Sequence, residues 1–369
     1  MQGTRPPRAL TQAGSILEID LDAIAANWRL LSERMGGPER CAAVVKADAY
    51  GLGAERVAPA LAAAGCRLFF VATLGEGQKL RRALGEAKIA VLNGLGNAAP
   101  GTYMRAGLMP VLNDLGEIAR WRRTAAPAML HIDTGMNRLG LPRGDVARLA
   151  AEPDRLAGVP LAAILSHLAC AEEQDNPMNE AQRAEFAAAL ARLPPARASL
   201  AGSSGIFLGP AFGFDFARPG AALYGVNPLP GRPNPMRQVV HFTGRILQVR
   251  AIDRSEGVGY GAAHRMARGG LIATVAVGYA DGWLRSSGNR GSVGIAGHRV
   301  PVVGRISMDL MTIDVTGIDP ALARPGMLVD LIDAEHGVDA VAEAAQTIGY
   351  EILTSIGRRA HRIYRGGPG

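Results

Sequence analysis

The chain has 369 residues and a formal net charge of +7, with 48% hydrophobic and 20% charged residues. This balance is typical of a folded globular protein and excludes a largely disordered one, and the length predicts two domains rather than one core. Basic residues are scattered and form no block, so we expect no nucleic-acid partner but a surface that favours anionic small molecules.

The N-terminal part of the chain predicts an arm, a strand and a helix. We expect residues 1–14 to form an extended arm without the apolar segment of a signal peptide. Residues 15–20 alternate as in a strand, and Asp20 or Asp22 can cap a helix that runs through Leu31.

Short apolar runs then alternate with helical stretches. The predicted strands cover residues 42–46, 68–72, 89–92, 108–112, 128–133, 161–167, 197–202 and 221–225. The predicted helices include residues 54–64, 75–84, 114–123, 143–151 and 179–193. Eight such units predict a (β/α)8 barrel of the TIM type, and the lack of a GxGxxG turn after the first strand argues against an open doubly wound sheet.

A proline-dense segment at residues 228–235 separates this region from a mostly-β second domain. The predicted strands of that domain cover residues 239–252, 270–277, 291–295, 299–303, 311–315 and 362–364, with one helix at 340–348. We therefore divide the chain into a barrel domain, 1–235, and a mostly-β domain, 236–369.

The cysteines and the hydropathy indicate a cytoplasmic protein. Cys41, Cys66 and Cys170 lack the spacing of a metal site, so we expect reduced thiols and no bound metal. No apolar run is long enough to cross a bilayer, so we expect no membrane partner.

Lys46 ends the first predicted barrel strand and is one of three lysines in the chain, with Lys79 and Lys88. Arginine carries most of the positive charge but cannot form a Schiff base, whereas a desolvated lysine can. A plain surface lysine at the strand end is the alternative.

Other reactive residues follow later strands, at the end of a barrel where active sites lie. The loop after the seventh strand, 202–205, contains Ser203 and Ser204 between glycines and can receive a phosphate. His131, Arg138, His167 and Arg218 lie at the same end. A lysine and a phosphate site together indicate pyridoxal 5'-phosphate, an aldehyde cofactor held by a Schiff base.

The segment Val45-Lys46-Ala47-Asp48-Ala49-Tyr50-Gly51 resembles the cofactor-lysine motif of alanine racemases, which are fold-type III pyridoxal-phosphate enzymes. Further segments resemble that family in order and spacing: residues 133–140, 166–169, 218–220, 259–261, 278–282 and 304–309. The resemblance implies a homodimeric isomerase that interconverts L-alanine and D-alanine, for cell-wall synthesis or for alanine catabolism.

The resemblance also implies residue roles. Lys46 holds the cofactor and acts as a base on one face of the α-carbon, and Tyr260 of the partner subunit acts on the other face, because racemisation needs a base on each side. Arg218 faces the pyridine nitrogen, His167 orients Arg218, and Arg138 lies near the cofactor's phenolic oxygen and the substrate carboxylate. The implied phosphate ligands are Tyr50, Ser203, Gly220 and Ala221. The implied substrate-side residues are Met308, Tyr279 and the supporting Asp309.

Three positions depart from the family pattern. His131 stands where many members have a carbamylated lysine that braces Arg138, so we hypothesise a bound chloride or a nearby carboxylate in its place. Gly202 replaces a frequent asparagine, and Arg358 replaces a frequent phosphate-contacting tyrosine.

Two other readings remain open at this stage. A barrel decarboxylase of basic amino acids has a similar lysine but usually takes a catalytic cysteine from its β domain, whereas every cysteine here precedes residue 171. A non-catalytic cofactor carrier lacks the large β domain. Among racemases, a wall formed by Tyr260 and Met308 favours alanine over serine or lysine.

Overall fold

The computed structural model describes residues 8–368, with side chains from residue 10 onward. The described chain divides into two compact units. One is Asp22–Arg237, here called the barrel unit, and the other, called the β unit, joins Gln238–Gly366 with the described residues up to Leu21. Within residues 8–368, no helix has the length and apolarity that a membrane crossing requires.

The strands and helices are as follows in chain order. The strands are β1 (Ser15–Asp20), β2 (Ala43–Val44), β3 (Leu68–Val71), β4 (Lys88–Val91), β5 (Met109–Leu112), β6 (Ala128–His131), β7 (Leu161–Leu165), β8 (Arg197–Ser199), β9 (Val240–Ala251), β10 (Glu256–Val258), β11 (His264–Met266), β12 (Leu271–Val275), β13 (Ser292–Ile295), β14 (His298–Pro301), β15 (Met311–Asp314), β16 (Leu328–Ile332) and β17 (His361–Arg365). The α-helices are α1 (Arg8–Gln12), α2 (Leu21–Met35), α3 (Lys46–Tyr50), α4 (Ala54–Ala64), α5 (Leu74–Leu84), α6 (Pro100–Arg105), α7 (Leu115–Trp121), α8 (Arg143–Ala151), α9 (Pro177–Leu190), α10 (Pro210–Gly213), α11 (Val338–Ala345) and α12 (Gly349–Ser355).

Seven parallel strands, β2 to β8, pair in sequence order in the barrel unit. Most of their residues are apolar and buried, as expected for strands covered by helices outside and packed side chains inside. Side-chain caps fix where several helices begin, because Thr73, Asp114 and Asn176 each accept a backbone N–H of the first turn. The strand-and-helix alternation predicted from the sequence is confirmed here.

The segment 216–219 closes the barrel. Ala217 N donates to Arg40 O at 2.9 Å, and Ala217 O accepts from Ala42 N at 2.9 Å. On the other side, Arg218 N donates to Ala201 O, which follows β8, at 2.9 Å. The predicted eighth strand at 221–225 is wrong, because Ala221–Tyr224 forms a 3-10 helix. Residues 221–225 are small and apolar, as in a strand. The segment that bonds to the neighbouring backbone on both sides is instead 216–219.

The β unit is built around the long strand β9. This strand pairs with β1, β12 and β16, and β1 pairs in parallel with β17 at the far end of the sequence. Gly244 lies where an added Cβ would come within 2.7 Å of Val275. Strand β9 therefore needs a glycine where Val275 of its neighbour β12 packs against it.

Three predictions for this region differ from the structure. Strand β1 belongs to the β unit and not to the barrel domain 1–235, because its partners are β9 and β17. The predicted extended arm contains helix α1, and its residues 1–7 lie outside the described residues. The predicted helix at 340–348 corresponds to α11, which ends at Ala345, and helix α12 and strands β10, β11 and β16 were not predicted.

Candidate active site

Lys46 lies two residues after the end of β2 and begins segment α3, whose backbone is a strained left-handed turn and not a right-handed helix. Ala47, Asp48, Ala49 and Tyr50 have φ values of 51°, 55°, 55° and 55°. This left-handed conformation costs about 1–2 kcal/mol for each residue that is not glycine. It persists only where other contacts impose it, and such strain clusters at functional sites.

The amine of Lys46 lies in an environment that disfavours its charge. Burial lowers the pKa of Lys46, the charge of Arg138 lowers it further, and the carboxylate of Glu76 opposes both by raising it. A lysine with a lowered pKa has more of the neutral amine that attacks a carbonyl carbon.

Arg218 and His167 lie next to each other. The guanidinium of Arg218 donates to Ser199 O at 2.8 Å and to Ser166 O at 2.5 Å, and its Nη2 lies 3.5 Å from His167 Nδ1. Burial lowers the pKa of Arg218 to about 10, so the side chain keeps its proton at neutral pH. Burial also lowers the pKa of His167 to about 3, with the charges of Arg218, Arg138 and Lys46 acting in the same direction. His167 is therefore a neutral neighbour of a fixed cation.

The predicted phosphate ligands gather beside this pair. Ser203 Oγ accepts from Gly220 N at 3.0 Å and from Ala222 N at 3.2 Å, so backbone donors converge on one hydroxyl. An added Cβ at Gly220 would lie 2.3 Å from Tyr50 Oη. Tyr50 itself is buried, and burial raises its pKa to about 12, which keeps its hydroxyl protonated and able to donate. Ser203 takes up these two N–H groups, and the hydroxyls of Ser203 and Tyr50 can donate to an anion such as phosphate.

His131 is held in one tautomer by Asn113. The Asn113 amide nitrogen donates to Val111 O at 3.0 Å and to Leu92 O at 3.2 Å, which assigns its oxygen to face His131 Nδ1 at 2.8 Å. His131 therefore donates from Nδ1 and keeps a lone pair on Nε2. Burial and the charges of Arg218 and Arg138 lower the pKa of His131 to about 4, against a smaller opposing effect of Asp133.

Arg138 lies in the loop after β6 and is exposed. Among residues 8–368, no carboxylate lies within ion-pair distance of its guanidinium. Asp133 Oδ1, near in sequence, instead accepts from the backbone N–H groups of Gly135, Met136 and Asn137. The hypothesis of a bracing carboxylate has no support here, and the hypothesis of a bound chloride stays a prediction.

The candidate residues of the β unit form their own cluster. Tyr260 and Met308 are exposed over 70% and 55% of their surface, and Tyr279 is exposed over 43%. Arg359 joins two of their loops, because its guanidinium lies 2.7 Å from Asp309 Oδ1 and 3.4 Å from Asp281 Oδ1. The implied place of Tyr260 opposite Lys46 stays a prediction.

The structure shows the surroundings of two of the three positions that depart from the family pattern. A Cβ on Gly202 would come within 3.2 Å of His167 Cε1, so the glycine leaves room for the imidazole beside Arg218. Arg358 is exposed, next to the ion-paired Arg359.

Sequence reasoning missed Glu76, Asn113 and Ser199, which contact or face the predicted residues. Glu76 carried a recognisable signal, because Thr73 and Glu76 have the spacing of a capping box.

A cavity of about 670 Å³ among Lys88, Trp121 and Phe216 lies at the opposite, N-terminal ends of the barrel strands and contains none of the predicted site residues.

Comparisons with known proteins identify the family of this chain. The family profile of the N-terminal domain of alanine racemase matches residues 19–228, and that of the C-terminal domain matches residues 239–364. An alanine racemase of Rhodospirillum rubrum is 52% identical over 96% of this chain and 97% of its own, and a catabolic alanine racemase of Mesorhizobium japonicum is 46% identical over 98% and 96%. The crystal structure of alanine racemase from Bartonella henselae, with covalently bound pyridoxal phosphate, has a TM-score of 0.92, 42% identity and coverage of 96% of this chain and 100% of that one.

Proposed function

Because this chain belongs to the alanine racemase family, we propose that it interconverts L-alanine and D-alanine with pyridoxal 5'-phosphate bound at the barrel rim. One observation carries the assignment to these residues: Lys46, with its lowered pKa, follows barrel strand β2 on the side where Arg218 and His167 lie next to each other.

The residues present fit the cofactor. The aldehyde suits the Lys46 amine, and the phosphate suits the hydroxyl donors of Tyr50 and Ser203, beside the 220–222 backbone that Ser203 orders. Gly220 packs so closely on Tyr50 Oη that a larger residue would displace a phosphate donor. Arg218 can donate to the pyridine nitrogen without giving up its proton, because guanidinium is a donor that stays charged.

When bound, the cofactor supplies an electrophilic carbon for the amino group and a sink for the charge left at the substrate α-carbon. The chain must then move one proton across that carbon. The Lys46 amine takes the proton from one face and becomes an ammonium, while the Tyr260 hydroxyl of the partner subunit returns a proton to the other face. The reverse direction exchanges the two roles, and Arg138 holds the substrate carboxylate.

The functional unit is proposed to be a homodimer in the cytoplasm. The exposed Tyr260 and Met308 fit a surface that a second subunit covers, and the free thiols of Cys41, Cys66 and Cys170 fit a reducing compartment. The same Tyr260 and Met308 leave room for little more than the methyl group of alanine.

A subunit-mixing experiment tests the shared site. Lys46→Ala and Tyr260→Phe subunits are each expected to be nearly inactive alone. After unfolding and refolding together, hybrid dimers have one site with both bases intact, so about a quarter of the wild-type racemase activity should return, since half of the dimers are hybrids with one good site each. No recovery in verified hybrid dimers would refute a Tyr260 supplied by the partner.

A further inference from the structure

The left-handed turn after Lys46 is anchored by a carboxylate on another element. Ala47 N, the first amide after Lys46, donates to Glu76 Oε1 at 2.9 Å. The second oxygen, Glu76 Oε2, accepts from Ala72 N at 2.7 Å and from Thr73 N at 3.2 Å. One carboxylate therefore joins the turn to the loop that follows the next barrel strand.

Glu76 is itself fixed at the start of α5. Its backbone N–H donates to Thr73 Oγ1 at 3.3 Å, and the two residues form a capping box. A capping box ordinarily satisfies the donors of one helix. Here the same carboxylate also reaches the turn of a neighbouring strand, so the residue does more than cap its helix.

Glu117 repeats this arrangement away from Lys46. It lies at the start of α7, where Asp114 accepts from its N–H at 2.8 Å. Its carboxylate accepts from Asn113 N at 2.8 Å and from Leu95 N, in the loop after β4, at 2.6 Å. The chain thus contains a matched carboxylate with the same structural task and no reactive amine beside it.

We propose that Glu76 is a positioning residue for the reaction: its carboxylate holds the turn that aims Lys46 and places a negative charge beside the Lys46 amine. This inference rests on the proposed role of Lys46 as the cofactor-binding amine.

The charges that face Lys46 explain why one carboxylate matters. Arg138 disfavours the ammonium form of Lys46, and Glu76 favours it. His167 also faces Lys46 but is neutral, since its pKa is lowered to about 3. Glu76 is therefore the group that raises the pKa of the Lys46 amine, which favours the ammonium form when the amine must take up a proton.

The small number of lysines allows a direct measurement. Reductive methylation of the cofactor-free full chain with ¹³C-formaldehyde labels Lys46, Lys79, Lys88 and the terminal amine, and NMR then titrates each one. Loss of one signal in Lys46→Arg assigns it. In Glu76→Gln the pKa of Lys46 should fall, because the negative charge that favours the ammonium has gone, while the signals of Lys79 and Lys88 titrate as in the wild type.

Hydrogen exchange tests the second part of the proposal. Glutamine keeps only one acceptor oxygen and turns an NH2 group toward a donor, so exchange in the peptide that covers residues 45–53 should accelerate about tenfold or more in Glu76→Gln. The control Glu117→Gln should accelerate exchange near Leu95 and leave both the turn and the Lys46 pKa as in the wild type.

The proposal is overturned if Glu76→Gln leaves the Lys46 pKa and the exchange of residues 45–53 unchanged, or if Glu117→Gln alters them equally. Both measurements are made without cofactor and substrate. A chain that fails to racemise alanine can therefore still pass them, and an active racemase can fail them.

Discussion

Acid should destabilise the barrel unit through the two histidines at its rim. The pKa of His131 is lowered to about 4 and that of His167 to about 3, in both cases first by burial, from an ordinary value of 6.5. Both side chains are neutral in the folded chain but take up protons below pH 6.5 when the chain unfolds. Their stabilising contribution is therefore complete above that pH and is lost as the pH falls toward the folded-state values.

The size of the effect follows from the same pKa values. Between pH 7.5 and 5.0, the free energy of unfolding should fall by at most about 2 kcal/mol for each histidine. This free-energy loss is an upper limit, because both side chains keep some contact with solvent. Together, His131 and His167 account for a loss of up to about 4 kcal/mol, a large part of the stability of an ordinary domain.

Urea unfolding of the cofactor-free full chain at the two pH values measures this loss. His131→Asn and His167→Asn keep a polar atom near the position of Nδ1 but do not titrate, so each should lose less stability on acidification than the wild type. His241→Asn is the control with the opposite sign, because the hydrogen bond to Asp330 raises the pKa of His241. If both rim variants lose as much stability as the wild type, the rim histidines are charged in the folded chain and the reasoning is wrong.

Four further predictions concern the reaction. The holoenzyme should absorb at about 420 nm, and Lys46→Ala should abolish this band while Lys79→Ala keeps it. Tyr260→Phe should keep the band but lose exchange of the α-proton for deuterium mainly with one enantiomer of alanine; equal loss with both contradicts the two-base assignment. Rates on L-alanine should exceed those on L-serine and L-lysine, and a faster rate on lysine overturns the substrate assignment. Crystals grown in bromide should show an anomalous peak beside Arg138, and its absence leaves the halide hypothesis without support.

Local sequence patterns predicted what depends on local chemistry. Strand β2, which precedes Lys46, was found because a short apolar run is followed by glycines and a helical stretch, and α4 has the bounds expected from its periodicity. Strand β1 was also found, but its sheet was not, since its partner β17 lies at the other end of the chain. The sequence of one strand does not indicate which distant strand it pairs with.

The closing segment of the barrel and the turn after Lys46 were missed for a different reason. Residues 216–219 include an arginine and a proline and lack the apolar run of a strand, although their backbone completes the barrel. Ala47 and Ala49 show no preference for left-handed backbone, and only contacts such as that of Glu76 impose it. The tautomer of His131 likewise depends on Asn113, which is 18 positions away.

The rim of the barrel gathers positive charge that only anions can balance. Burial and the charge of Arg138 lower the pKa of Lys46. Burial and the charges of Arg218 and Arg138 lower the pKa of His131 and of His167, so both histidines are neutral. Glu76 offsets part of this charge beside Lys46. The remaining excess is what a phosphate group and a substrate carboxylate neutralise, so binding of either one lowers the electrostatic cost of the folded rim. The residues that would bind cofactor and substrate thus repel one another until those anions are bound, and ligand binding should raise the stability of the barrel unit for the same physical reason.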